Sequence, residues 1–323
     1  MTEKTENSET HPLRPTRRGF LGASALLLAE PALGQPKALP DKSAAGPVAQ
    51  GPIPARRGAA HIDGPLYYER MGRSGPVMAF IHPNPMDQSC WIFQMAHLST
   101  WFRCIAIDIP GYGRSPKARK GLTMDDMAQA CWEAIDDAYP NEAAILVGCS
   151  VGSFITPYMH NQRPILTRAL IHAGAAYRPD RDFSGRIRSF RQEGADFRWS
   201  YTFQDFSPAF RGTPMAHYFA NLFNERNKHA DVQSIIYQFD ALSKPEPKGH
   251  FEKISCPNII LTGTEDTFHQ LSFALQEKIT NCELKVLPGA GHACHMEQPW
   301  LFDKLLLEFL ARHRLFPMEQ VPA

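Results

Sequence analysis

From about residue 59 to residue 313, short apolar runs alternate with stretches of helical periodicity, and this rhythm limits the possible folds more than any other feature of the chain. The runs at 66–70, 77–81, 104–109, 143–147, 169–172, 259–262 and 284–287 have strand length and strand composition. Helical patterns fill the gaps. Thr123-Met124-Asp125-Asp126 opens one with a capping sequence, and 300–313 closes the series with Leu301, Leu305, Leu306, Phe309 and Leu310 on one face. Strands separated by helices need crossover connections, so the predicted class is α/β, a mostly parallel central sheet covered by helices on both sides. Residues 177–248 break the rhythm, being helical in pattern and dense in aromatics between two core strands, as an inserted helical cap would be. The expected core therefore comes in two parts, 59–176 and 249–323, with the cap between them.

One strand ends in a turn that carries chemistry. Directly after the run at 143–147 stand Gly148-Cys149-Ser150-Val151-Gly152, followed by a helical pattern. A serine flanked by glycines in this way can occupy a tight strand-to-helix turn, because neighbouring backbones pass where a Cβ would clash and Oγ is left exposed above the sheet. The stretch is neither G-x-G-x-x-G nor a phosphate loop with lysine, so nucleotide binding is excluded. A serine hydroxyl needs a base, and the base an orienting acid. Both follow in order: the strand at 259–262 runs into Gly263-Thr264-Glu265-Asp266, and a late loop carries Pro288-Gly289-Ala290-Gly291-His292.

The order Ser, Asp, His resembles that of the α/β-hydrolase superfamily, as does Gly291-His292 through Glu297-Gln298-Pro299 near the carboxyl end. The resemblance covers about 59–313. It implies the α/β-hydrolase fold, with Ser150 as nucleophile, His292 as base and Asp266 as orienting acid. Glu265 and Asp180 are rival acids, and the spacing from Gly263 favours Asp266. For the oxyanion, the family pattern points to the backbone N-H of Val151 and a second donor in Ile81-His82-Pro83-Asn84-Pro85-Met86. That turn resembles the family's His-Gly-x-Pro, with the amide of Asn84 as the expected donor and Met86 as the fallback, since Pro83 replaces the usual glycine and has no N-H. Asp108, in Asp108-Ile109-Pro110-Gly111-Tyr112-Gly113-Arg114-Ser115, is expected to be structural. His82-Pro83-Asn84-Pro85 also resembles the halide-binding turn of haloalkane dehalogenases, but those enzymes attack saturated carbon with a carboxylate. Ser150 would leave an ether that cannot be hydrolysed; epoxide hydrolases are excluded on the same ground, and carbonyl chemistry remains.

The resemblance therefore implies a hydrolase acting on a small ester, thioester or lactone with an apolar portion. A carbon-carbon bond hydrolase, a perhydrolase or a non-catalytic ligand-binding relative with the same residues stays open. No cofactor is implied, and no metal: His292, Cys294 and His295 supply too few independent ligands. The cap arginines Arg178, Arg181, Arg186, Arg188 and Arg191 read mainly as a solvated face. Cys149, just before the turn's apex, should point into the core. The seven cysteines are odd in number, scattered and without C-x-x-C pairs, so most read as small buried hydrophobes. A net charge of +1 gives no electrostatic footprint for nucleic acid.

The amino-terminal end reads differently. Thr16-Arg17-Arg18-Gly19-Phe20-Leu21 before the apolar run at 20–29 resembles a twin-arginine export signal, and Ala32-Leu33-Gly34 offers small residues for a cut before Gln35. The run is too short to span a bilayer, so no stable membrane anchor is expected. Residues 1–34 are thus read as a leader for the twin-arginine export machinery and 35–58, rich in Pro, Ala and Gly, as a linker. The expected location is the periplasm; the alternative is a cytoplasmic protein with a disordered tail.

Overall fold

The computed structural model describes residues 59–178, 180–194 and 202–316. The leader and linker expected at 1–58, together with Phe197, Trp199 and Tyr201, lie outside the described residues. Seven strands form one sheet: β1 Tyr68–Met71, β2 Val77–Ile81, β3 Arg103–Ile107, β4 Ala144–Cys149, β5 Thr167–Ala173, β6 Asn258–Gly263 and β7 Cys282–Leu287. Their order is β1-β3-β2-β4-β5-β6-β7. Only β1 pairs antiparallel, with β3; the others are parallel. This is the mostly parallel, helix-covered sheet expected from the alternating pattern, in the α/β-hydrolase fold that the resemblance implied.

Strands β2 and β4 are buried along their whole length because helices cover both faces, so their side chains are apolar without alternation. The helices are α1 Ile92–Leu98, α2 Met124–Ala138, α3 Val151–Gln162, α4 Ser184–Glu193, α5 Pro214–Asn227, α6 Val232–Leu242, α7 His269–Gln276 and α8 Pro299–Arg312. Thr123 caps α2 as its sequence predicts: its hydroxyl accepts from the Asp126 amide, and the Asp126 carboxylate accepts from the Thr123 amide. Helix α8 buries Phe302, Leu306, Phe309 and Leu310 against the sheet, each such side chain contributing about 2 kcal/mol. Among the described residues no helix is long and apolar enough to cross a membrane.

Helices α4, α5 and α6 lie between β5 and β6. They are tied to the core by polar contacts as well as apolar ones. The Ser234 hydroxyl accepts from the Ala118 amide at 2.8 Å, Arg226 pairs with the buried Asp87, and Gln238 donates to the Pro110 carbonyl. Phe190, Phe219, Phe223 and Phe239 are buried, in hydrophobic clusters that they share with residues of the sheet and its helices. Tyr218 stays on the surface.

Candidate active site

Strand β4 ends centrally in the sheet and delivers Ser150 to its carboxyl edge. The serine adopts φ 50° and ψ −113°, a left-handed conformation unusual for a residue with a Cβ. It is held there by its neighbours: its amide donates to the Ala173 carbonyl of β5 at 3.0 Å. A Cβ on Gly148 would collide with the Gly152 carbonyl, and one on Gly152 with the Ile81 carbonyl of β2. Both glycines are required by close backbone approach, which is the physical content of the motif. Cys149 faces the core, and burial pushes its thiol well above the ordinary value.

The two loops after β6 and β7 carry Asp266 and His292 and bring them into contact. His292 Nδ1 lies 3.0 Å from Asp266 Oδ1 and 3.1 Å from Oδ2, and the Phe268 amide donates to Oδ1 at 2.8 Å. Of the rival acids, Glu265 and Asp180 are exposed, and Asp180 pairs with Arg178 instead. Burial alone would raise the Asp266 carboxyl, but the His292 ring and the Phe268 amide hold it below its ordinary value. Burial alone would lower His292. Asp266, with help from Asp205, reverses this and raises the imidazole to about 9, against the opposing charge of Arg186.

On the far side of Ser150, the turn after β2 is organised by His82. The Ile109 amide donates to its Nε2 at 3.0 Å, so Nδ1 carries the proton and donates to the Pro83 carbonyl at 2.8 Å. Burial lowers this histidine to about 4, which keeps it neutral and structural. The Tyr112 hydroxyl donates to Asn84 Oδ1, fixing that side chain. The Met86 amide is spent on the Pro83 carbonyl at 3.1 Å, so the fallback donor is engaged. Val151 opens α3, where a helix amide has no intrahelical acceptor. Asp108 is the turn acid that its sequence suggests, accepting from the amides of Gln88 at 2.8 Å and Arg114 at 3.0 Å.

Ser150, Val151, Asn84 and His292 line one cavity of about 300 Å³. The rest of its wall includes Phe154 and Phe268 of the core and Phe183, Phe239, Arg178, Arg186, Asp182 and Asp205 of the segment between β5 and β6. The expected arginines divide. Arg178 and Arg186 reach the cavity, Arg181 is buried against the Leu242 carbonyl and Glu246, and Arg188 and Arg191 are exposed. Asp205 was missed by the sequence reasoning. Among the described residues no group of three or more His, Cys, Asp or Glu is placed to hold a metal; His295 is buried against the Trp91 ring at 4.2 Å.

Residues 78–301, more than half of the chain, match the model of the Alpha/beta hydrolase family. The AB hydrolase superfamily protein YisY of Bacillus subtilis is 27% identical over 264 residues, spanning 76% of this chain and 94% of its own. A haloalkane dehalogenase of Mesorhizobium japonicum is 30% identical over 111 residues, 34% of this chain and 36% of its own. Among solved structures, an esterase from Thermogutta terrifontis superposes with TM-score 0.67 at 23% identity, covering 76% of this chain and 93% of that one. An enol-lactonase from Burkholderia xenovorans gives TM-score 0.67 at 20% identity, covering 76% and 96%. Both share the fold.

Proposed function

Because the chain belongs to the alpha/beta hydrolase family, we propose that it is a serine hydrolase that cleaves a small ester, thioester or lactone through an acyl-enzyme. Ser150 Oγ attacks the carbonyl carbon while His292 takes its proton, Asp266 holds the imidazole through Nδ1, and the amides of Val151 and Asn84 receive the oxyanion. His292 then protonates the leaving oxygen or sulfur. Water, activated by the same histidine, attacks the acyl-enzyme and restores Ser150. The observation that carries this reading is the buried pair His292 Nδ1 to Asp266 Oδ1 at 3.0 Å in the loops beside the serine turn. In this reading the helices between β5 and β6 act as a cap, their Phe183 and Phe239 giving an apolar wall for the substrate.

Stoichiometric labelling of the protein by a fluorophosphonate, absent in Ser150→Ala, is the test. Wild-type protein that fails to label would sink the proposal. A panel of p-nitrophenyl esters, thioesters, lactones and diketones then separates acyl transfer from carbon-carbon bond cleavage. With residues 1–34 read as a twin-arginine leader, the enzyme works outside the cytoplasm, most simply in the periplasm.

A further inference from the structure

The acyl-transfer chemistry assigns no task to Asp205, yet it lines the same cavity as Ser150 and His292. Its place is fixed by the loop that carries the histidine. The Ala293 amide donates to the Asp205 carbonyl at 3.1 Å, and two residues further on Ser207 is held just as firmly. The half-buried Glu297 carboxylate accepts from the Ser207 amide at 3.1 Å and from the Gly291 amide at 3.0 Å, so one side chain bolts the two segments together. Gly291 permits this contact, since a Cβ there would run into the Ser207 amide. The backbone at Asp205 is thus fixed beside the histidine loop.

Among the described residues, Asp205 Oδ2 is buried and has no hydrogen-bond partner. A carboxylate oxygen in that condition costs free energy unless something arrives to satisfy it. The neighbouring imidazole is no candidate, because its Nδ1 faces Asp266 and its other nitrogen serves the serine in the acyl-transfer reading. We propose, on the strength of that reading, that Asp205 is a specificity-determining residue whose carboxylate accepts a hydrogen bond from a hydroxyl or ammonium group carried by the substrate close to its reacting carbonyl. Burial raises the Asp205 carboxyl to about 6, with His292 and Arg186 opposing, so the group is largely ionised at neutral pH and acts as an acceptor. The same charge repels substrates that present a carboxylate at this position.

Methyl esters matched in size test this on the full-length chain by proton release: 3-hydroxybutyrate, 3-aminobutyrate and 3-methylbutyrate, with the 2-substituted set alongside. Wild-type kcat/KM should favour a donor-bearing ester over its methyl counterpart by about 10- to 100-fold, the range of a hydrogen bond to a charged group. In Asp205→Ala the preference should fall to about twofold or less. Asp205→Asn separates the two donors: it keeps part of a preference for the hydroxyl, to which a carboxamide oxygen can still serve as acceptor, and loses a preference for the ammonium group. Fluorophosphonate labelling of Ser150 verifies that each variant is folded, and the isosteric Asn variant carries the ammonium arm if the Ala variant does not fold. No preference for a donor at either carbon, or a preference unchanged in Asp205→Ala, overturns the role given to Asp205 while leaving ester hydrolysis intact. A wild-type protein that neither labels nor cleaves any ester overturns the serine-hydrolase reading itself.

Discussion

The loops that leave the carboxyl ends of β2 and β6 bring Asn84 to the cavity and Asp266 behind His292 with their side-chain oxygens already hydrogen-bonded, by Tyr112 in one case and by the Phe268 amide and His292 in the other. The segment between β5 and β6 brings Asp205 to the same cavity with an oxygen left open. A group completed by the fold is preorganised for one task, whereas a group left incomplete is waiting for a ligand. Under the proposed function this is a division of labour, in which the sheet-end loops perform the chemistry and the inserted segment chooses the substrate.

The comparison breaks if the sheet-end loops are dispensable. Ser150→Ala should lower kcat by on the order of a million-fold, and residual turnover near the wild-type rate would move the chemistry elsewhere. Asp266→Asn should cost on the order of 10,000-fold by disturbing the tautomer and orientation of His292, with Glu265→Gln as the near-neutral control because that residue is exposed. If the two variants behave alike, the assignment of the acid fails.

Glu297→Ala probes the junction between the two regions. It leaves the Gly291 and Ser207 amides without their acceptor and should destabilise the fold by about 3 kcal/mol, read as a lower midpoint in urea. An unchanged midpoint would mean the junction is not structural. A smaller effect sharpens the contrast between the two acids. His292 must be neutral to act as base, and its pKa is set by Asp266 and Asp205, which raise it, and by burial and Arg186, which lower it. His295, close by in the next turn, is pushed to about 3 by burial and is neutral over the working range. Wild-type kcat/KM should therefore climb with pH through an apparent pKa above the usual 6.5, toward about 9. Asp205→Asn removes one negative neighbour, which favours the neutral ring, so the rising limb should move to lower pH. A limb that stays put would show that Asp205 does not act on His292. The smallest effect is expected from the amino terminus: deleting residues 1–34 should leave kcat/KM of the purified enzyme unchanged, while replacing Arg17 and Arg18 by Lys should abolish export, read by fractionation.

Those two regions also differed in how far they could be read from residues alone. Ser150, Asp266 and His292 stand in short local patterns, each a strand followed by a turn with glycine, and the physics that makes the turn is itself local. The choice between Asp266 and Glu265 follows from it, since the Glu265 amide binds the Ala290 carbonyl and its side chain is left outside. Asp205 sits among Phe203, Gln204, Phe206 and Ser207 with nothing in its spacing to link it to His292. The link is made through Glu297, which the sequence marked only as part of a carboxyl-terminal signature. Strand ends were blurred for a related reason. The run at 284–287 extends back to Cys282 and Glu283 because pairing with β6 recruits backbone regardless of hydropathy, and β1 begins at Tyr68, two residues later than its apolar pattern suggests.

For anyone exchanging the helices of this segment with those of another hydrolase to alter its selectivity, the Glu297 junction decides where to cut. Residues 205–207 lie within the insertion, between α4 and α5, but belong mechanically to the histidine loop, because their hydrogen bonds with Glu297 and Ala293 run in that direction. A graft that retains residues 205–207 keeps the donor for Glu297 and the loop's footing. One that replaces Ser207 by proline removes the donated N-H and leaves the carboxylate half-buried with a single amide, whatever helices are attached beyond it.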